Sequence, residues 1–216
     1  IKDLYNFLLK MGCNIKWKKK RTIEILGQNN FKPVNHKVMF DRIEAGTYVI
    51  ASALTKGNVV IKNLNPKIVE TELNILSKMG VKIIKFKNKL IVKKVGKIKS
   101  ASIKTGPYPG FPTDLQAQIM VLMTKTEGVS IIRENIFENR FMHVSELRRM
   151  GAKIEIKNNK AIIFGKSKLN GAELMATDLR ASVCLVLAGL VPSNKTIVNR
   201  IYHLDRGYEK IEKKLS

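Results

Sequence analysis

Leu76-Ser77-Lys78-Met79-Gly80 is one of three copies of a single phrase. Leu8-Leu9-Lys10-Met11-Gly12 and Leu147-Arg148-Arg149-Met150-Gly151 share the pattern Leu-x-[Lys/Arg]-Met-Gly, and the glycines are spaced 68 and 71 residues apart. Each phrase ends an apolar pattern of helical period. Glycine just past the last turn is the residue expected where the backbone must turn left-handed to stop a helix. A strand-like segment follows each glycine (residues 14–17, 81–86 and 152–156), then a turn and a second strand (22–26, 89–92 and 160–164). The first half of a repeated unit is therefore helix, glycine cap and β-hairpin.

A second half repeats as well. Asp41-Arg42-Ile43-Glu44-Ala45, Asp114-Leu115-Gln116-Ala117 and Asp178-Leu179-Arg180-Ala181 each open an apolar stretch of helical length, with Asp spacings of 73 and 64 residues. Aspartate ahead of a helix accepts hydrogen bonds from its free N–H groups, so three N-caps are expected. Residues 117–123 and 181–191 carry almost no charge. Helices that apolar must be covered on most sides, which puts helices inside and sheets outside. The expectation is an α/β protein of about seven strands and six helices with quasi-threefold repetition. If rotation relates the units, the N-termini of their second helices converge and form an anion site before any side chain contributes.

Composition narrows the class. The 216 residues are 44% hydrophobic with a mean hydropathy of −0.09, enough to bury a core. No apolar run reaches the roughly 18 residues of a membrane span, and no charged-then-apolar leader opens the sequence. No membrane partner is expected. The chain starts at Ile1 rather than Met, which suggests a processed or missing start. Cys13 and Cys184 are too few for a disulfide scaffold and join no metal-ligand spacing. A cytoplasmic setting, with no metal and no cofactor, is the expectation.

The net charge is +23, from 31 Lys and nine Arg against 17 acidic residues. Such a charge suits nucleic acid, and Ile15-Lys16-Trp17-Lys18-Lys19-Lys20-Arg21 is the best local candidate. The lysines are spread along the whole chain, however, and aromatics are only 6%. No helix-turn-helix, RNA-binding or zinc pattern accompanies them, so a solvated basic surface is expected, with no nucleic-acid partner. In a Lys-rich chain an Arg marks a place that needs a planar two-pronged donor. Arg42, Arg140, Arg180 and Arg206 all fall within the motif-like stretches, and a carboxylate or phosphate suits that fork.

The most distinctive stretch is Thr105-Gly106-Pro107-Tyr108-Pro109-Gly110-Phe111-Pro112-Thr113-Asp114, a stiff bent loop that delivers Asp114 to a helix start. With it stand Asp41-Arg42-Ile43-Glu44-Ala45-Gly46-Thr47, Leu115-Gln116-Ala117-Gln118, Glu138-Asn139-Arg140-Phe141-Met142-His143, Thr177-Asp178-Leu179-Arg180-Ala181-Ser182 and Asp205-Arg206-Gly207-Tyr208-Glu209. In order and spacing these blocks resemble the UDP-N-acetylglucosamine enolpyruvyl transferase family, and the likeness covers essentially the whole chain.

That resemblance implies an inside-out α/β barrel. It implies two domains of three repeated units each, with the active site in the cleft between them. It implies transfer of the enolpyruvyl group from phosphoenolpyruvate to the 3-hydroxyl of UDP-N-acetylglucosamine with release of phosphate, the first committed step of peptidoglycan synthesis. This chain resembles the C-terminal half, residues 1–37 being the tail of the nucleotide-sugar domain and 38–216 most of the second domain. Its expected partners are the two substrates and the missing N-terminal half.

Carried across residue by residue, Asp114 matches the aspartate that contacts the sugar and takes the 3-hydroxyl proton, a role a hydroxyl nucleophile requires; a plain N-cap is the structural alternative, and both can hold. Ile136 matches a backbone contact to the nucleotide sugar, although by itself it reads as core. Arg140, Arg180 and Arg206 match arginines that meet the carboxylate and phosphate of phosphoenolpyruvate and of the tetrahedral intermediate, Arg206 being assigned with Asp114 to catalysis. Structural ion pairs are the alternative for each. Asp178 matches a carboxylate near the reacting carbon and also reads as an N-cap. His143 and His203 read as hydrogen-bonded supports, His36 as surface, and both cysteines as packing residues. The family's cysteine-bearing loop, its Lys-Asn pair and one further arginine belong to the missing half, so no turnover by the chain alone is expected. The alternatives are the shikimate-pathway enolpyruvyl transferase, a basic nucleic-acid-binding module, and a split-gene product that serves only as a folding partner.

Overall fold

Three identical helix stops organise the chain in the computed structural model, which describes residues 1–93 and 96–215. Gly12, Gly80 and Gly151 have φ of +86°, +103° and +98°. Their N–H groups donate to Leu9, Ser77 and Arg148 at 3.0, 2.9 and 2.9 Å, and the next residues, Cys13, Val81 and Ala152, donate to Leu8, Leu76 and Leu147 at 3.0 Å each. That pair of bonds closes the last carbonyls of each helix and needs a left-handed residue, which is why glycine stands there.

Residues Ile1–Phe40 form one compact unit and Asp41–Ser216 another. The first contains α1 (Lys2–Lys10), β1 (Asn14–Lys19) and β2 (Thr22–Leu26), the strands pairing antiparallel. Among residues 1–40 only Ile15 is buried, so this unit has almost no core of its own. Lys18 pairs with Glu24 at 2.8 Å, and Trp17 leans on Tyr5 with ring centroids 5.4 Å apart. His36 is not the surface group expected. It is half-buried, its Nε2 3.2 Å from Asp3 Oδ2 and its ring 5.0 Å from that of Phe7, because the extended segment after β2 packs back on α1.

The second unit contains α2 (Arg42–Thr55), β3 (Val59–Lys62), α3 (Glu70–Lys78), β4 (Lys82–Lys85), β5 (Lys89–Lys93), β6 (Ser102–Lys104), α4 (Gln116–Met123), β7 (Val129–Arg133), α5 (Val144–Arg149), β8 (Lys153–Lys157), β9 (Lys160–Phe164), β10 (Glu173–Met175), α6 (Leu179–Gly189), β11 (Ile197–Asn199) and α7 (Ile211–Leu215). Short 3₁₀ turns occupy Pro66–Val69, Thr113–Leu115 and Ile201–Arg206. The described residues thus hold eleven strands and seven α-helices, more than the seven and six expected. Two of the additional strands, β6 and β10, are three residues long, too short to show alternation; each pairs parallel to a later strand, β7 and β11.

Helices lie inside and sheets outside, as an inside-out α/β barrel of the enolpyruvyl transferase type requires. All eight residues of α4 are buried, and it packs between α2 and α6. Sheets β3-β5-β4, β6-β7-β9-β8 and β10-β11 cover this helical core. Buried residues alternate along β9, so one face of that strand meets the core. Gly46 in α2 leaves room for the Leu115 side chain. A Cβ there would lie 2.5 Å from Leu115 Cδ1, and Leu115 is itself fully buried.

Two of the three expected N-caps are present. Asp41 Oδ1 accepts from Ile43 and Glu44 N–H at 2.7 and 3.3 Å, and Asp178 Oδ1 from Arg180 and Ala181 N–H at 2.7 and 3.0 Å. Asp114 is not a cap. It sits inside the 3₁₀ turn Thr113–Leu115, whose cap position is Pro112, and α4 begins after Leu115 with no side-chain cap. The turn points the Asp114 carboxylate away from the helix N–H groups and frees it for other partners.

Candidate functional site

The site grows from the converging helix starts. Asp41 before α2, Asp114 before α4, and Leu179 and Arg180 at the head of α6 line one hollow of about 110 Å³ with Gly207 and Tyr208. The starts of α2 and α6 therefore border a shared space, their first N–H groups already bonded to the Asp41 and Asp178 carboxylates. A Cβ on Gly207 would meet the Leu179 side chain, Cδ2 at 2.9 Å.

Asp114 meets two cations at that rim. Arg180 Nε donates to its Oδ1 at 2.6 Å, Arg180 Nη2 touches the same oxygen, and Arg140 Nη2 donates to it at 3.1 Å. Two guanidiniums from two separate segments meet at one carboxylate oxygen. The group is partly open to solvent, with side-chain exposures of 21, 33 and 37% for Arg140, Arg180 and Asp114. Burial, and then the adjacent Arg180 cation, lower the Arg140 guanidinium below its ordinary range, while Asp114, Asp178 and Glu134 oppose the shift. Arg140 Cζ also lies 4.8 Å from the centre of the Phe137 ring, within cation–π reach.

A second hollow of about 320 Å³ adjoins the pair. Gln116, Arg140, His143, Asp178 and Arg180 are among its walls. His143 is buried, its Nε2 finds no hydrogen-bond partner among the described residues, and burial pushes its pKa down to about 4. It is therefore a neutral imidazole in the folded protein. Its Nε2 is unpaired, contrary to the hydrogen-bonded support expected from the sequence. Gln116 Nε2 is likewise buried and unpaired.

The remaining expected residues lie as follows. Ile136 is exposed, not the core residue its side chain alone suggests, because its segment leaves the sheet after β7; its N–H donates to Glu134 Oε1 at 2.9 Å. Asp178 caps α6 and also faces the larger hollow. Arg206 ends the turn Ile201–Arg206 as an exposed side chain and lines neither hollow, although Gly207 and Tyr208 beside it line the smaller one. Arg42 turns elsewhere, donating to buried Glu72 at 2.6 Å and lying 5.2 Å from the Tyr108 ring. That ion pair and Thr71, whose hydroxyl donates to Pro109 O at 2.6 Å, brace the proline-rich loop. His203 lies 4.1 Å from the Tyr202 ring. Cys184 is fully buried and burial raises its thiol pKa, while Cys13 is partly exposed.

Several residues near the site escaped sequence reasoning. Gln118 Nε2 donates to Asp114 O at 2.9 Å and reaches Thr47 Oγ1 and Tyr208 OH at 3.3 Å each, and those two hydroxyls are 2.8 Å apart. Two glutamines in an otherwise apolar buried helix were a usable signal, since a buried amide needs partners. Glu134 is also buried, with its carboxylate bonded to Thr105 and Thr113 at 2.8 Å each. Nothing local in Arg133-Glu134-Asn135 distinguishes it from a solvated acid.

Among the described residues no group of three or more His, Cys, Asp or Glu could hold a metal ion, and no helix is long and apolar enough to cross a membrane.

A family model described as EPSP synthase (3-phosphoshikimate 1-carboxyvinyltransferase) matches residues 1–215. The chain is 63% identical over 215 residues to a UDP-N-acetylglucosamine 1-carboxyvinyltransferase of Pelagibacter ubique (strain HTCC1062), and 55% identical over 216 residues to one of Geotalea uraniireducens (strain Rf4). Each alignment covers 100% of this chain and 52% of the relative, so the chain spans about half the length of the curated relatives it matches. The crystal structure of the enolpyruvyl transferase NikO from Streptomyces tendae superposes with a TM-score of 0.89 at 25% identity, over 99% of this chain and 52% of that one. EPSP synthase from Acinetobacter baumannii, at TM-score 0.75 and 18% identity over 94% of this chain and 51% of that one, shares the fold.

Proposed function

The chain belongs to the EPSP synthase family, and from that premise we propose that it is the C-terminal half of a UDP-N-acetylglucosamine enolpyruvyl transferase. The whole enzyme would move the enolpyruvyl group of phosphoenolpyruvate to the 3-hydroxyl of UDP-N-acetylglucosamine and release phosphate. Residues 1–37 would complete the nucleotide-sugar domain, and 38–216 would form most of the second. The choice of sugar nucleotide over shikimate phosphate rests on the relatives at 52–63% identity. In the cell the reaction would be cytoplasmic and would commit material to peptidoglycan.

One observation carries the reading: two guanidiniums from distant segments converge on the Asp114 carboxylate at the rim where helix starts open. Arginine forks bind carboxylate and phosphate well. An incoming phosphoenolpyruvate anion would take Arg140 and Arg180 from Asp114 and leave that carboxylate free. Asp114 would then accept the 3-hydroxyl proton as the oxygen attacks C2. A proton added at C3 gives a tetrahedral phosphate ketal, and loss of a C3 proton with expulsion of phosphate restores the double bond. Fixed cations lower the energy of the charge that builds on the phosphate. Ile136 would touch the nucleotide sugar through its backbone, Asp178 would stand near the reacting carbon while capping α6, and Arg206 would close on the phosphate from the exposed turn.

The test is a chimaera of the preceding half of the Pelagibacter ubique relative followed by this chain, assayed for phosphate release from phosphoenolpyruvate. Turnover is expected with UDP-N-acetylglucosamine, none with shikimate 3-phosphate, and none from the 216-residue chain alone. A soluble, folded chimaera that is inert with the sugar nucleotide would overturn the reading.

A further inference from the structure

Glu134 places a carboxyl group in the interior with no cation bonded to it among the described residues. The residue is 2% exposed. Oε1 accepts from Thr105 Oγ1 at 2.8 Å, Ile136 N–H at 2.9 Å and Phe137 N–H at 3.3 Å, and Oε2 accepts from Thr113 Oγ1 at 2.8 Å. All four partners are neutral donors, and the two carboxyl oxygens accept from every one of them. The residue is held in turn by its own backbone. Its N–H donates to Asn159 O at 2.8 Å and its carbonyl accepts from Asn159 Nδ2 at 3.0 Å. Thr105 is fixed as well, its N–H donating to Arg133 O at 2.9 Å and its hydroxyl accepting from Asn135 N–H at 2.9 Å.

The topology explains why these segments meet. The parallel pairing of β6 with β7 sets Lys104 opposite Arg133, so Thr105 and Glu134 leave the sheet side by side. Thr113 is the residue immediately before Asp114. Phe137 is the ring on which Arg140 lies at 4.8 Å. One carboxylate therefore grips both approaches to the Asp114–Arg140 contact, one through Thr113 and the other through the Ile136–Phe137 backbone.

We propose that Glu134 is a positioning residue that sets the Asp114–Arg140 geometry by pinning Thr113 and the 136–137 backbone. The claim rests on the reading of Asp114 and Arg140 as substrate-facing groups, and it adds a residue that touches no substrate. Glu134→Ala leaves two hydroxyls and two N–H groups without an acceptor. Glu134→Gln keeps the shape: its amide oxygen still accepts from Ile136, Phe137 and Thr105, and its NH₂ donates to Thr113, whose hydroxyl can reverse roles.

Two measurements test this. In the 216-residue chain, the Nε–H resonances of Arg140 and Arg180 and the exchange rates of the Ile136 and Phe137 amides are compared among wild type, E134A and E134Q. Arg42, paired with Glu72, serves as the internal control. E134A is expected to accelerate exchange at both amides by about tenfold or more and to shift or broaden the Arg140 resonance with Arg42 unmoved, and E134Q to restore both. In the chimaera, E134A is expected to lower kcat by about tenfold or more, the scale of leaving buried donors unpaired, and E134Q to keep most of it. Unchanged Arg140 and amide signals in E134A, or E134Q as damaging as E134A, would overturn the proposal. The resonance and exchange readouts need no turnover, so an inert wild-type chimaera counts against the enzymatic reading alone and leaves this one decided by the spectra.

Discussion

Arg180 Nε stands 2.6 Å from Asp114 Oδ1 across 66 residues of sequence, and its Nη2 reaches the same oxygen. A fork that offers two nitrogens to one atom is a feature of guanidinium that ammonium cannot copy. Arg180→Lys is therefore expected to lower kcat/KM of the chimaera by about 10²-fold, the scale of losing one oriented donor from a charge-stabilising site. The ion pair is about one-third exposed, so the change in folding stability should stay under about 1 kcal/mol. Steady-state phosphate release together with urea unfolding separates the two effects. Activity within threefold of wild type would remove Arg180 from the substrate face.

The chain's local punctuation was legible in its residues, and its long-range polar contacts were not. Each Leu-x-[Lys/Arg]-Met-Gly phrase carries the whole instruction for its helix stop, because the bonds join residues three to five apart. The apolar helices α4 and α6 announced burial by lacking charge. Asp114 misled because the same residue type opens α2 and α6 as a cap. Pro112 and the 3₁₀ turn that follows it divert the carboxylate to arginines 26 and 66 residues away. Glu134 was invisible for the same reason: its hydroxyl partners, Thr105 just after β6 and Thr113 at the end of the proline-rich loop, lie 29 and 21 residues earlier. The arginines of the motif blocks stood out against 31 lysines, but only the fold separates Arg140 and Arg180, which share Asp114, from Arg42, which holds Glu72.

Tyr208 ties the C-terminal motif to the helical core. Its hydroxyl meets Thr47 Oγ1 at 2.8 Å and Gln118 Nε2 at 3.3 Å, and its ring packs with Val183, Leu204 and Ile211. Tyr208→Phe keeps the packing and strips a buried hydroxyl from two partners. A loss of about 1–2 kcal/mol is expected, the cost of leaving buried polar groups under-bonded. Urea unfolding should show it as a lower midpoint with an unchanged slope. An unaltered midpoint would mean that the three polar groups contribute nothing net.

Cys184 and Cys13 should react very differently. Cys184 is fully buried and burial raises its thiol pKa, which suppresses the nucleophilic thiolate, whereas Cys13 is partly exposed. A disulfide reagent such as dithionitrobenzoate should label one thiol per native chain at neutral pH and two after unfolding. Mass spectrometry should place the native label on Cys13. Rapid native labelling of Cys184 would require the α6 core to open far more readily than its packing suggests.

His143 makes the protein sensitive to acid in a particular window. Burial is the main cause that lowers its pKa to about 4; Arg140 adds to the shift and Asp178 opposes it. In the unfolded chain an imidazole titrates near about 6.5. Between those values the unfolded state binds more protons than the native state, so stability rises with pH across the window and is lost on acidification. Below about pH 4 the folded imidazole protonates too and the loss levels off, at about 3 kcal/mol for a shift of that size. The carboxylates add their own acid dependence, so the clean quantity is the difference between wild type and His143→Gln. That difference in unfolding free energy, taken from urea titrations at pH 7 and pH 4.5, should move by about 2–3 kcal/mol, the wild type losing more. The 320 Å³ hollow that His143 shares with Arg140 and Arg180 is the place where its protonation would add a third positive charge. Stability curves of the two proteins that run parallel from pH 7 to 4.5 would mean that His143 is hydrated and not held neutral by burial.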